Sequence, residues 1–132
     1  MKRSALKRKT PLRAKKQYRW KGRDAATRRA DAMLASRVHA RGRCALCQFI
    51  GVVSGDPLEV HHARGRLKGF RWREESCLLL CRFHHRTGTV ISAHGAPAEF
   101  RRWLEKNRSD ILLLPNVPET AEQAIARMEL RG

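Results

Sequence analysis

The chain carries four cysteines and six histidines in 132 residues, and two of their spacings belong to metal chemistry. Cys44 and Cys47 are separated by two residues, as are Cys81 and His84, and 33 residues lie between the pairs. Thiolates and imidazoles hold structural zinc tetrahedrally, and a two-residue spacer lets both members of a pair point into one site. The pattern therefore predicts a structural Zn²⁺ on Cys44, Cys47, Cys81 and His84, a staple on which small domains often rely. Cys77 can replace a member of that quartet, but its place in a Leu-rich run reads as a buried thiol. Histidines also stand in two adjacent pairs, His61 with His62 and His84 with His85. Neighbours on a strand face opposite sides, and neighbours on a helix are turned about 100° apart. Within each pair one imidazole can serve a metal while the other does different work. Phosphodiester hydrolysis needs that division, with a general base to deprotonate water and a divalent cation beside the phosphate. The plainer reading makes these histidines surface polar groups or further zinc ligands.

Regular elements must position these groups. From Asp24 to about Ala40, the residues Ala26, Ala30, Met33, Leu34 and Val38 recur at three- and four-residue steps, predicting an amphipathic helix that Gly42 ends. After the Cys44–Cys47 knuckle, Phe49 to Val53 reads as β-prone and residues 54–57 as a turn. Leu58 to His62 then reads as the return strand of a hairpin. Residues 63–75 read as a basic loop, Ser76 to Leu80 as a buried strand, and Cys81 to His85 as the start of a short helix ended by Gly88. Helices are expected over Pro97 to Asn107, with Phe100, Trp103 and Leu104 on one face, and over Glu119 to Leu130. The fold class is α+β in one domain of residues 24–132, a length typical of single domains, with its core at about 44–95 and a C-terminal helical extension over 97–132.

Charge bounds the partner. The 29 Lys and Arg against 12 Asp and Glu leave +17, with a pI near 11.3; such a balance on a small chain points to a polyanion, nucleic acid first. Residues 1–23 hold 11 of the basic residues and no acid, predicting a disordered basic arm drawn to phosphates. In the loop, Arg64, Arg66, Lys68, Arg71 and Arg73 are candidate phosphate ligands. Phe70 and Trp72 among them either stack on bases or fill the core. Arg82 and Arg86 extend the basic face, with Arg101 and Arg102 beyond. No apolar run approaches the ~20 residues of a membrane span, so no membrane partner is expected. A cytoplasmic location is, and there the cysteines read as ligands rather than disulfides.

The run CALC, then LEVHH, then SCLLLCRFHHRTG, in that order, resembles the zinc-containing HNH endonucleases over residues 44 to about 95. The resemblance implies a ββα-metal finger as the core. It also implies hydrolysis of DNA, duplex or single-stranded, with little sequence specificity and with Mg²⁺, Mn²⁺ or Ni²⁺ as catalytic metal. It makes His61 and His85 metal ligands, His62 the general base, and Cys44, Cys47, Cys81 and His84 the zinc quartet. The sequence departs from the pattern at the motif's middle letter, where the family's Asn corresponds to Ser76, a shorter side chain in a catalytic position. A further ligand that some members carry falls on Thr89. His94 supplies it if the chain turns back after Gly88, and is otherwise a loop histidine. The His-His-Arg-Thr-Gly run followed by His-Gly is similar to phage nucleases of the RecA-dependent type, which implies a recombination-protein partner. The alternative is a non-catalytic, zinc-stapled DNA-binding module derived from such a nuclease and disabled at Ser76. Oligomeric state is left open by the sequence.

Overall fold

The computed structural model describes residues 23–67 and 69–131. In chain order these form α1 (Ala25–His39), α2 (Ala45–Ile50), β1 (Leu58–His62), a 3-10 turn (Glu74–Ser76) and β2 (Cys77–Cys81). A π-helical turn (Phe83–Thr87), α3 (Pro97–Asn107), α4 (Ser109–Leu112) and α5 (Ala121–Leu130) follow. Except for Arg23, the expected arm lies outside the described residues, as does Lys68.

Helix boundaries follow local chemistry. The Asp24 carboxylate accepts the Thr27 N–H to start α1, while Ala30, Leu34 and Val38, four residues apart, form its buried face. Past its end the chain reverses at Gly42, whose φ of 75° suits a residue without a Cβ. Pro97 opens α3, where its missing N–H leaves no helical bond unmade. Thr120 and Gln123 close a reciprocal capping box on α5.

The sheet is antiparallel, in a register that pairs Leu58 with Cys81, Glu59 with Leu80, Val60 with Leu79, His61 with Leu78, and His62 with Cys77. Every residue of β2 is buried, because helices cover both faces. Leu78 and Leu80 pack among Leu46, Phe100, Trp103, Leu104 and Ile111. Cys77 and Leu79 pack among Leu34, Val38, Trp72, Ile125 and Met128. Directly paired residues share a face. The register thus puts Glu59 and His61 on the side of α2 and α3, and Val60 and His62 on the side of α1 and α5. The fold is mixed helix with a two-stranded antiparallel sheet, and no described helix is long and apolar enough to cross a membrane.

Two expectations are corrected. Phe49 to Val53 is not a strand of the hairpin: Phe49 and Ile50 end α2, and β1 pairs with β2 instead. The local cause is capping. The Cys44 sulfur accepts the Cys47 N–H at one end, and Gly51, at φ 85°, returns its N–H to the Cys47 carbonyl at the other. The buried strand also runs one residue later than expected, from Cys77, because Ser76 closes the preceding 3-10 turn.

Candidate metal centres

Cys44, Cys47, Cys81 and His84 converge, all four buried, with their donor atoms within 4.8 Å of one another. Cys44 and Cys47 come from the start of α2, Cys81 ends β2, and His84 lies one turn further on. The His84 Nδ1 stands 3.5, 3.4 and 3.3 Å from the sulfurs of Cys44, Cys47 and Cys81, and the Cys47 and Cys81 sulfurs are 3.8 Å apart. Bonds of about 2.3 Å to sulfur and 2.0–2.1 Å to nitrogen at tetrahedral angles give edges of about 3.8 Å for S···S and 3.6 Å for S···N. The cluster therefore fits a structural metal such as zinc. Burial pushes the Cys47 thiol up to about 12, with the Cys44 and Cys81 sulfurs adding to it, so a cation among these sulfurs is what would favour the thiolate. Burial also lowers the pKa of His84, with Asp56 opposing. Cys77 stays out of the quartet, buried in the second core beside Leu79.

A second cluster joins His61, His85 and His94, again with donor atoms within 4.8 Å of one another. Ring centroids lie 5.2 Å apart for His61 and His85, 5.4 Å for His61 and His94, and 4.9 Å for His85 and His94. His61 projects from β1, backed by the Phe100 ring at 5.3 Å. His85 projects from the π-helical turn. His94 arrives on the following loop, which is tied down by the Ala93 and His94 amides donating to the His84 and His85 carbonyls. The buried Ser92 hydroxyl donates to the Gly88 carbonyl and accepts the Gly95 and Ala96 amides. Burial drops the pKa of His61 to about 4, and the neighbouring imidazoles of His85, His94 and His62 act in the same sense. The ring is neutral at physiological pH, as a metal ligand must be.

Glu59 belongs to this centre although sequence reasoning passed over it. Its carboxylate lies 3.1 Å from the His85 Nδ1 and accepts the Arg86 Nε at 3.0 Å, with the Arg82 Nε at 3.9 Å. The hydrogen bond from His85 holds Glu59 below the usual carboxylate range; burial opposes this, and Arg86 adds to it. A carboxylate on Nδ1 leaves Nε2 of the same ring as the free donor and fixes its orientation. The signal was available: Glu59 stands two residues before His61, hence on the same strand face.

His62 turns the other way. It lines a cavity of about 210 Å³ with Arg23, Asp31, Leu34, Ala35, Val60 and Arg66. Burial lowers its pKa and the Arg66 charge adds to the effect. Asp31 and the Arg71 backbone work against it, while the Arg71 charge lowers it further. Ser76, expected in a catalytic position, closes the 3-10 turn before β2. It is fully buried, and its hydroxyl donates to the carbonyls of Phe70 at 3.0 Å and Arg73 at 2.9 Å, pinning the turn that carries Arg71.

The basic loop divides by partner. Arg64 donates to the carbonyls of Ile111 and Leu112 and lies 4.3 Å over the Phe70 ring. Arg71 forks onto Asp31, and Arg73 faces Glu119 at 3.7 Å. These three are spent within the fold, and Phe70 and Trp72 are core residues, 3% and 7% exposed, rather than stacking platforms. Arg66 is exposed beside His62, while Arg82 and Arg86 keep 57% and 60% of their side-chain surface beside Glu59. No family model matches the chain, and no curated protein and no solved structure matches it.

Proposed function

We propose that the chain is a metal-dependent endonuclease of the HNH type, with β1, β2 and the Phe83–Thr87 turn as its ββα-metal finger and DNA phosphodiesters as its substrate. The observation that carries this reading is the convergence of His61, His85 and His94 from three segments, with Arg82 and Arg86 exposed beside them. Of Mg²⁺, Mn²⁺ and Ni²⁺, imidazole donors suit Ni²⁺ best and Mn²⁺ more weakly, while Mg²⁺ keeps to oxygen. These three residues would hold a divalent cation, which would supply Lewis-acid stabilisation of the developing charge on phosphate.

The remaining work falls to the chain itself. Arg82 and Arg86 hold phosphates flanking the reacting one. Glu59 keeps the His85 ring in place. His62, whose pKa burial lowers, takes the proton from the attacking water. Ser76 holds the turn that carries Arg71 through the carbonyls on either side of it. Because His61 and His62 face opposite sides of β1, the substrate reaches both by crossing the end of the strand. Contacts to phosphate read no bases, so sequence specificity is low and affinity falls steeply with salt.

One observation favours a second reading, a zinc-stapled DNA-binding module without catalysis: His62 and the three-histidine cluster lie on opposite faces of β1. Nicking of supercoiled plasmid with Mn²⁺, Ni²⁺ or Mg²⁺, by wild type and His62→Ala at equal zinc content, separates the two. Nicking that the substitution abolishes supports the nuclease. Equal nicking by both proteins, or none by a folded wild type that binds the plasmid, rejects His62 as the base or the nuclease itself.

A further inference from the structure

A surface cavity of about 520 Å³ opens beside α2 and is lined by Arg43, Cys44, Cys47, Gln48, Val52 and Val53, among others. Two of the four metal-ligating residues thus form part of a cavity wall, while Cys81, fully buried, lies behind them with its sulfur 3.8 Å from that of Cys47. The same quartet leads directly into the second cluster. His84 and His85 are consecutive, and their carbonyls accept the amides of Ala93 and His94, so two of the three clustered imidazoles hang from the segment that Cys81 and His84 anchor.

From this we infer that Cys47 and Cys81 are a peroxide-oxidisable pair whose state controls metal binding at His61, His85 and His94. The oxidant is hydrogen peroxide, small enough to reach Cys47 through the cavity. The Cys47 thiolate sulfur attacks one peroxide oxygen, the O–O bond breaks, and hydroxide leaves to become water, giving a sulfenic acid. The Cys81 thiolate then attacks that sulfur, the S–O bond breaks, and a second hydroxide leaves to become water. Two thiolates, one peroxide and two protons give one disulfide and two waters; the sulfurs lose two electrons and the peroxide gains them. Closing the bond brings the sulfurs from 3.8 Å to about 2.05 Å. Only Cys44 and His84 remain to ligate zinc, too few for a tetrahedral site. The metal leaves, and the segment bearing His85 and His94 loses its anchor. Linkage requires the converse as well: a metal on the three histidines must favour a filled quartet to the same degree.

The inference rests on the quartet holding zinc and is independent of whether the chain cuts DNA, so neither readout is cleavage. Zinc-loaded full-length protein is treated with hydrogen peroxide. Zinc release is followed with a chromophoric chelator, and Co²⁺ binding by its visible spectrum. One equivalent of zinc is expected in solution, with a Cys47–Cys81 cross-linked tryptic peptide and Co²⁺ affinity at least about tenfold weaker, the scale on which ligand positioning acts. A dithiol reductant with added zinc restores both. Val52→Trp, which fills the cavity, slows release several-fold with zinc affinity unchanged, and Cys77→Ser leaves the response intact. Zinc retained under excess peroxide, zinc lost without that disulfide, Co²⁺ affinity unchanged by oxidation, or release as fast in the Val52 variant would each overturn the proposal.

Discussion

Asp31 is where α1 grips the loop between the strands, and replacing it tests how that loop is positioned. Its carboxylate accepts the Arg71 Nε at 3.1 Å and Nη2 at 3.0 Å, the Trp72 Nε1 at 2.9 Å, and the Arg23 Nη1 at 2.6 Å. The Arg71 fork is about four-fifths buried on both sides, whereas the Arg23 pair is half exposed on its arginine and adds little. Asp31→Asn keeps the shape and one acceptor but removes the charge. A hydrogen bond to a charged group contributes about 1.5–3 kcal/mol. With the amide oxygen retaining part of the fork, the loss is about 2 kcal/mol, or about 10 °C in Tm for a domain of this size. The pH dependence has a definite sign. Burial pushes the Asp31 pKa up, but hydrogen bonds from Arg71, Arg23 and Trp72 together outweigh it and leave it below its ordinary value. The contribution is therefore complete above the unfolded pKa of about 3.9 and is lost as pH falls through the folded one. Thermal melts followed by circular dichroism at pH 7, 5 and 3 should show a gap between wild type and variant that is full at pH 7 and narrows at pH 3. A variant that melts with wild type at pH 7, or a gap that does not narrow in acid, refutes this account of the loop.

Other outcomes follow from the same contacts. Ser76→Ala removes the buried hydroxyl shared by the Phe70 and Arg73 carbonyls, which keep the Arg73 and Ser76 amides as donors, so denaturant midpoints should fall by the equivalent of about 0.5–1.5 kcal/mol, while Ser76→Asn should overpack the fully buried site rather than improve it. Glu59→Gln should weaken Co²⁺ binding at the three histidines by about 10–100-fold in a spectroscopic titration, at unchanged zinc content. Cys44→Ser should lose about one equivalent of zinc by elemental analysis and the cooperative melt with it.

What could be read in the sequence was what depends on spacing. Ala30, Leu34 and Val38 announce the buried face of α1, Phe100, Trp103 and Leu104 that of α3, and the two two-residue spacers the Cys44, Cys47, Cys81 and His84 cluster. Alternation along β1 correctly sends His61 and His62 apart. His94 stayed ambiguous because its place depends on a loop held by Ser92 and by backbone bonds to His84 and His85, which no periodicity encodes. The partners of Arg64, Arg71 and Arg73 are hidden from the sequence for a related reason. A count of charges does not reveal that Asp31, Glu119 and the α4 carbonyls, remote in sequence, claim Arg71, Arg73 and Arg64. Phe49 to Val53 has strand-forming residues, yet Cys44 and Gly51 cap a helix that takes in Phe49 and Ile50, and β-propensity yields to such context.

Plasmid nicking measured against Mn²⁺ concentration tests the proposal that a metal held by His61, His85 and His94 serves DNA cleavage. Wild type and His94→Ala are compared with the cysteine cluster filled by zinc in both. His94 is the exposed member of the cluster, so its removal leaves the buried packing intact. Half-maximal nicking is expected to move to higher Mn²⁺ by at least about tenfold, in step with the loss of directly measured Mn²⁺ affinity, ligand geometry being the controlling factor. Nicking with the same metal dependence in both proteins, or a loss of Mn²⁺ affinity that leaves nicking unchanged, would contradict it.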